Sequence, residues 1–133
     1  MTDGATDYHS QHPRVTMPKA LYDRAHLAAL QASRVHNRPV TRRDVVETAI
    51  GEYLTAAEQA RANQHPLHAE RIPIPSGSPG VRIRAALRAR LAEEARQQAI
   101  EQQRDVAIGH LTSAALTMYL DRLNVPVPKS HPG

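Results

Sequence analysis

The sequence predicts a mainly α fold with two short β-strands, in the order β-α-α used twice. Three observations predict it. Shifting the chain by 66 positions without a gap lays residues 13–54 over residues 79–120. Twelve of the 42 aligned positions are then identical, among them Val15/Val81, Leu21/Leu87, Val40/Val106, Tyr53/Tyr119 and Leu54/Leu120. Matches of alanine or arginine could come from composition, but the paired tyrosines and in-phase valines and leucines could not so easily. Each aligned block also opens on a period-2 run and continues with apolar residues at spacings of three and four, the marks of a strand and of helices. Finally, aromatics make up only 3% of the 133 residues, with no Phe or Trp. A block so poor in large side chains buries too little surface to stand alone, so two copies are expected to share one core.

The elements follow in order. Residues 1–11 are polar, without apolar periodicity, and are expected to form a disordered arm. Arg14-Val15-Thr16-Met17 alternates like a half-buried strand, which Pro18 ends while suiting the first turn of a helix. That helix is predicted over 19–36, with Leu21, Ala25, Ala28, Ala32 and Val35 as its apolar stripe. Asn37-Arg38-Pro39 stops it, because the residue before proline avoids helical angles and Asn tolerates a C-terminal cap. Thr41 and Asp44 then form a capping-box pattern for a second helix fraying near Ala60. Val45, Val46, Ala49, Ile50, Tyr53 and Leu54 line its buried side.

Residues 61–78, rich in Pro, Gly and Ser, read as a linker between a first unit at 12–60 and a second at 79–123. Ile72-Pro73-Ile74-Pro75 alternates too, but its prolines suit only an edge. Val81-Arg82-Ile83-Arg84 is the better second strand, followed by helices at about 85–103 and 107–123. The tail, 124–133, is too short and too rich in proline to fold.

Charge and composition bound the function. Net charge is +4, and 15 of the 17 basic residues are arginine, whose planar fork suits phosphate and guanine. Between His12 and Arg43 seven basic residues face one acid, Asp23, whereas residues 80–110 carry six against four. The first unit therefore has the stronger field for polyanions. Zero cysteines exclude disulfides and thiol chemistry. No apolar run reaches signal-peptide or membrane-span length, so a cytoplasmic protein without membrane contact is expected.

Strand, helix, turn and helix, opening on Pro18-Lys19-Ala20-Leu21-Tyr22-Asp23-Arg24, resemble the ribbon-helix-helix family of Arc- and MetJ-like DNA-binding proteins. So does the helix ending Ala49-Ile50-Gly51-Glu52-Tyr53-Leu54, matched by Ala115-Leu116-Thr117-Met118-Tyr119-Leu120. The resemblance covers about two thirds of the chain. It implies an antiparallel two-stranded ribbon that enters the DNA major groove, here with both protomers fused into an intramolecular pseudo-dimer. A linker of 18 residues reaches roughly 60 Å at ~3.3 Å per residue, ample for the second strand to return to the first. The first helix is longer than in the family, and no glycine separates the helices.

With Val15, Met17, Val81 and Ile83 inward, alternation places Arg14, Thr16, Arg82 and Arg84 on the opposite face. Arginine grips guanine O6 and N7, and threonine meets thymine methyl groups, so these four are the candidate base contacts. The alternative, that they are ordinary solvated edge residues, is outweighed by the repeat. The repeat sets Arg14 against Gly80 and Thr16 against Arg82, so the two half-sites should differ and the operator be an imperfect palindrome. Thr41, Arg42 and Arg43 open a helix, where free N–H groups favour phosphate; spacing alone fits a plain capping box equally well. In the second unit Ala107, Gly109 and His110 replace Thr41, Arg43 and Asp44, weakening its phosphate anchor.

Tyr53 and Tyr119 are expected in the core, and Glu93-Glu94 on a solvated helix face. His9/His12 and His65/His68 share metal-ligand spacing, but no neighbouring acid or cysteine completes a zinc site. No Gly-rich phosphate loop, nucleophile elbow or buried carboxylate pair suggests an enzyme, and no cofactor is expected. Double-stranded DNA is the expected partner, with self-association of pseudo-dimers on it. The function would be that of a repressor or of an accessory protein in plasmid partition or conjugative transfer, nucleoid- or plasmid-associated. The alternative is an antitoxin or assembly module whose helices bind protein.

Overall fold

The computed structural model describes residues 12–126. The arm predicted over 1–11 and most of the tail lie outside them. The order is β1 (Arg14–Thr16), α1 (Lys19–His36), α2 (Arg42–Ala62), β2 (Gly80–Arg82), α3 (Ala85–Gln102) and α4 (Ile108–Arg122). The protein is thus mainly helical, with one two-stranded antiparallel sheet. No helix among the described residues is long and apolar enough to cross a membrane.

Val15 pairs with Val81, Arg14 with Arg82 and Thr16 with Gly80. Two further bonds extend the ladder, from Met17 N–H to the Pro79 carbonyl (3.1 Å) and from Ile83 N–H to the Pro13 carbonyl (2.9 Å). A proline thus stands at each end of the ladder, accepting a bond it cannot return. Val15, Met17 and Ile83 are buried, and Val81 packs against them from the edge of the core.

Helix α2 packs most extensively on α4, and α1 and α3 flank them. The expected face of α2 is buried from Val45 to Leu54, with Ala57 added. Tyr53 lies fully inside, whereas Tyr119 is only partly covered. In α1 the buried stripe is Leu21, Arg24, Ala25, Ala28 and Ala29. Val35, expected there, is 78% exposed. The last turn of α1 runs past the core, and its stripe position faces water.

Both helix–helix turns close without glycine, through left-handed residues at Asn37 (φ 51°) and Gln103 (φ 55°). Arg38 N–H and Arg104 N–H then return to the Ser33 and Ala99 carbonyls. Ser33 adds a side-chain tie, accepting from Val40 N–H at 2.9 Å.

Arginines clasp the helices crosswise. Arg24 of α1 donates to Asp121 at the end of α4 and to the Val125 carbonyl, both at 2.8 Å. Arg90 of α3 reaches Glu58 of α2 at 3.1 Å. The tail therefore does not leave the fold at 124: Val125 is buried, its N–H bonded to the Leu120 carbonyl.

The linker is docked rather than free. Ala69 is buried, and its N–H donates to Gln98 Oε1 at 2.8 Å. Gln98 in turn donates to the Tyr53 hydroxyl (2.9 Å) and to Glu94 (3.0 Å), so its amide is satisfied in the interior. Glu94, expected in water, is 6% exposed. Arg61 holds it with two hydrogen bonds of 3.0 and 2.8 Å and grips Glu101 as well. Burial alone would expel this carboxylate; the bidentate arginine keeps it. Arg61, with His68 beside it, holds the Glu101 carboxyl below the usual carboxylate range. Burial pushes the Tyr53 hydroxyl up, opposed by the bond from Gln98.

Removing Arg61 strands Glu94 without a counter-charge, so Arg61→Ala should lower unfolding free energy by about 3 kcal/mol. Arg90→Ala, which breaks an ion pair more than half exposed on both sides, should cost under about 1 kcal/mol. Urea denaturation of the two variants checks the contrast.

Candidate functional site

Strand alternation decides which side chains the ribbon offers. The two terminal bonds involve the 13/83 and 17/79 pairs, so 14/82 and 16/80 are the narrow pairs without mutual hydrogen bonds. Side chains approach most closely at such pairs. Arg14 and Thr16 are exposed and Arg82 half-buried, all on the face turned away from the core. The six residues of β1 and β2 include two arginines and no acid. Like charges directly opposite each other on a ribbon are unfavourable, and the two arginines part. Arg82 Nη1 donates to the His12 carbonyl at 3.2 Å. Arg14 lies across Gly80, where a Cβ would run into its side chain and sit 2.8 Å from the Val15 carbonyl oxygen.

Arg84 is not brought to this group. It stands at the N-cap position of α3, beyond β2. Its N–H donates to Glu47 Oε2 at 2.8 Å, and its Nε lies 3.5 Å from the same oxygen.

At the start of α2, Thr41 and Asp44 form the full capping box. Thr41 Oγ1 accepts from Asp44 N–H (3.1 Å), and Asp44 Oδ2 accepts from Thr41 N–H (2.9 Å). That backbone bond holds the Asp44 carboxyl below its usual range, helped by the Thr41 hydroxyl and by Arg38 and Arg43. Arg42 is anchored: Nε donates to the Tyr22 carbonyl at 3.0 Å, and the guanidinium sits 3.7 Å above the Tyr22 ring. Arg43 leans towards Glu47 at 3.4 Å and keeps about a third of its side chain exposed.

The matching end of α4 has half of this box. Ala107 carries no acceptor, so His110 N–H turns to the Ala107 carbonyl, while His110 Nδ1 accepts from Ala107 N–H at 3.3 Å. The contrast expected from Ala107 and His110 is therefore built into the backbone bonding.

Sequence reasoning missed Glu47 and Tyr22. Glu47 joins α2 to the start of α3, pairing with Arg43 of its own helix and with Arg84 at the cap of α3. Its only sequence signal is the four-residue spacing from Arg43. Tyr22 carries no signal, because its partner Arg42 is 20 positions away.

A groove of about 500 Å³ runs between α1, α2 and the end of α4, bordered by Ala28, Ala32, Thr48, Tyr119 and Leu123. Sixty-six positions on from Ala28 and Ala32 stand Glu94 and Gln98, where the linker lies over the helices. Among the described residues no group of three or more His, Cys, Asp or Glu is placed to hold a metal ion. Comparison of the chain with protein-family models, with curated proteins and with solved structures finds no match.

Thr41→Ala should cost about 0.5–2 kcal/mol of stability, and Ala107→Thr should restore a cap and stabilise. The Asp44 half of the box titrates. Because its folded pKa is depressed, its contribution is complete above the usual carboxylate range and lost as pH falls through the lowered value. The stability gap between the natural protein and Asp44→Asn, followed by thermal melts from pH 7 to pH 2, should therefore narrow to nothing at the acid end.

Proposed function

We propose that this chain is a ribbon-helix-helix protein, folded as an intramolecular pseudo-dimer, that binds double-stranded DNA with its β-ribbon in the major groove. It would act as a repressor or as an accessory protein in plasmid partition or conjugative transfer. The observation that carries this reading is the solvent face of the ribbon: Arg14, Thr16 and Arg82 together, with no acid in either strand. Support for the pseudo-dimer comes from the ladder, centred on Val15 and Val81, a pair the 66-residue shift equates. The crosswise clasps of α1 to α4 and α3 to α2 follow the same approximate twofold.

The start of α2 supplies the phosphate contact. Its helix end favours an anion, and Tyr22 holds Arg42 in one pose, so little freedom remains to be lost on binding. Arg43, loosely paired with Glu47 and partly exposed, adds a second charge. The start of α4, with Gly109 and His110 in the matching positions, grips the backbone less. Arg84, engaged by Glu47, is left out of the base contacts.

A second reading, an antitoxin or assembly module, draws on the groove beside Ala28 and Ala32. It would take an extended peptide segment, as the linker lies over Gln98 on the other side, with Arg38, Asp44 and Glu47 offering it polar partners. Duplex binding separates the two, since each phosphate the protein neutralises releases counterions and gives the steep salt dependence of a polyanion ligand.

Binding to duplexes selected from a random pool tests the proposal. Arg14→Ala and Arg82→Ala should each weaken the selected site by about 1–3 kcal/mol and random duplex little. Arg43→Ala should weaken all sequences alike and make the salt slope shallower by about one. Equal losses on selected and random duplex from the strand variants would make the ribbon a phosphate contact instead. Light scattering at low micromolar protein should report the mass of one chain, and an obligate dimer would overturn the pseudo-dimer.

A further inference from the structure

The ribbon is paired symmetrically in its backbone and asymmetrically in its side chains. About the Val15/Val81 centre, the twofold that relates the strands exchanges position 14 with 80 and position 16 with 82. Two copies of one strand would put the same residue at both members of each pair. Here the pairs are arginine with glycine, and threonine with arginine. The narrow pairs accordingly differ: Arg14 faces Arg82 at one end, and Thr16 faces Gly80 at the other.

Gly80 has a specific consequence. Positions 14 and 80 lie diagonally across the ribbon's centre, and the Arg14 side chain takes that diagonal. Any side chain at position 80 would occupy the space Arg14 uses, and even a methyl would press on the Val15 carbonyl. A second arginine there would contest the same ground by symmetry and by charge. Instead the Arg14 side chain runs across the centre to lie against Gly80, beside the short Thr16, while Arg82 leans out towards His12 at the other end.

We infer that this ribbon takes a duplex without twofold symmetry and holds it in one orientation, with Arg14 reading a guanine at the centre and Gly80 positioning Arg14. The inference rests on the reading of the ribbon as a DNA-binding surface. A single arginine laid across the centre meets guanine O6 and N7 on one strand only. Reversing the protein would bring it to the cytosine N4–H₂ donor, which an arginine cannot accept. Reversal would also exchange the Arg82 end for the Thr16 end, so both features oppose it together.

The test compares the selected duplex with two palindromes, each built from one of its halves doubled. Both palindromes should bind the natural protein about tenfold or more weakly, and the selected site should carry a central G·C pair of fixed strand. A palindrome binding as tightly as the selected site would overturn the directional reading while leaving DNA binding intact. If no duplex is selected at all, both readings fall. Gly80→Ala should lose the central preference and keep the flanking ones; a retained central preference would remove Gly80 from its positioning role. Should Gly80→Ala fail to fold, Arg14→Ala decides, because Arg14 is exposed and its loss leaves the ladder intact. Preference lost at the central pair alone supports the inference, and loss spread evenly over the site overturns it.

Discussion

The pairing of β1 with β2 is the constraint on which the rest of the fold hangs. Each strand has three residues, and neither has any other strand among the described residues to bond. An isolated ribbon of this size is unstable in water, so it persists because Val15, Met17 and Ile83 enter the core that the four helices enclose. The dependence runs both ways. Joining positions 14–16 to 80–82 brings the start of α1 to the start of α3, and only then can α2 lie along α4.

The interior compensates for its lack of large side chains by recruiting polar ones. Among the described residues Tyr53 is the largest fully buried side chain, and the helices meet largely through Ala, Val, Leu and Ile. Small residues bring the backbones close, which puts arginine stems within reach of neighbouring helices. Arg24 and Arg61 use that reach to tie α1 to α4 and α2 to α3. Such groups restrict the packing to one arrangement where they are satisfied internally, as Arg61 is by Glu94 and Glu101; Arg24 is engaged through Nη2 alone, its Nε buried without a partner. The buried amide of Gln98 illustrates the satisfied case, and through Ala69 it extends the order of the core to the linker.

Local pattern made the helices and strands legible, and tertiary partners made the remainder illegible. Helix ends followed from Pro18, Asn37 and the Thr41–Asp44 box because caps act within a few residues. Val35 fell on the right stripe, yet α1 outruns the core it would have packed against. Glu94 read as a surface charge because Arg61, 33 positions away, is invisible to periodicity. The linker and Val125 read as free for the same reason: their anchors, Gln98 and Arg24, are distant in sequence. For the candidate site, alternation placed Arg14, Thr16 and Arg82 on one face, but Arg84 belonged to the following helix cap and to Glu47.

The asymmetry of the two strands has an evolutionary consequence. In a symmetric assembly of identical chains, one codon change alters both halves of a shared surface at once, and both must remain acceptable. Here β1 and β2 are encoded separately within one chain. Arg14 can mutate while Arg82 is kept, and Thr16 while Gly80 is kept. Each end of the ribbon can therefore change its side chains in single steps, without altering the other end.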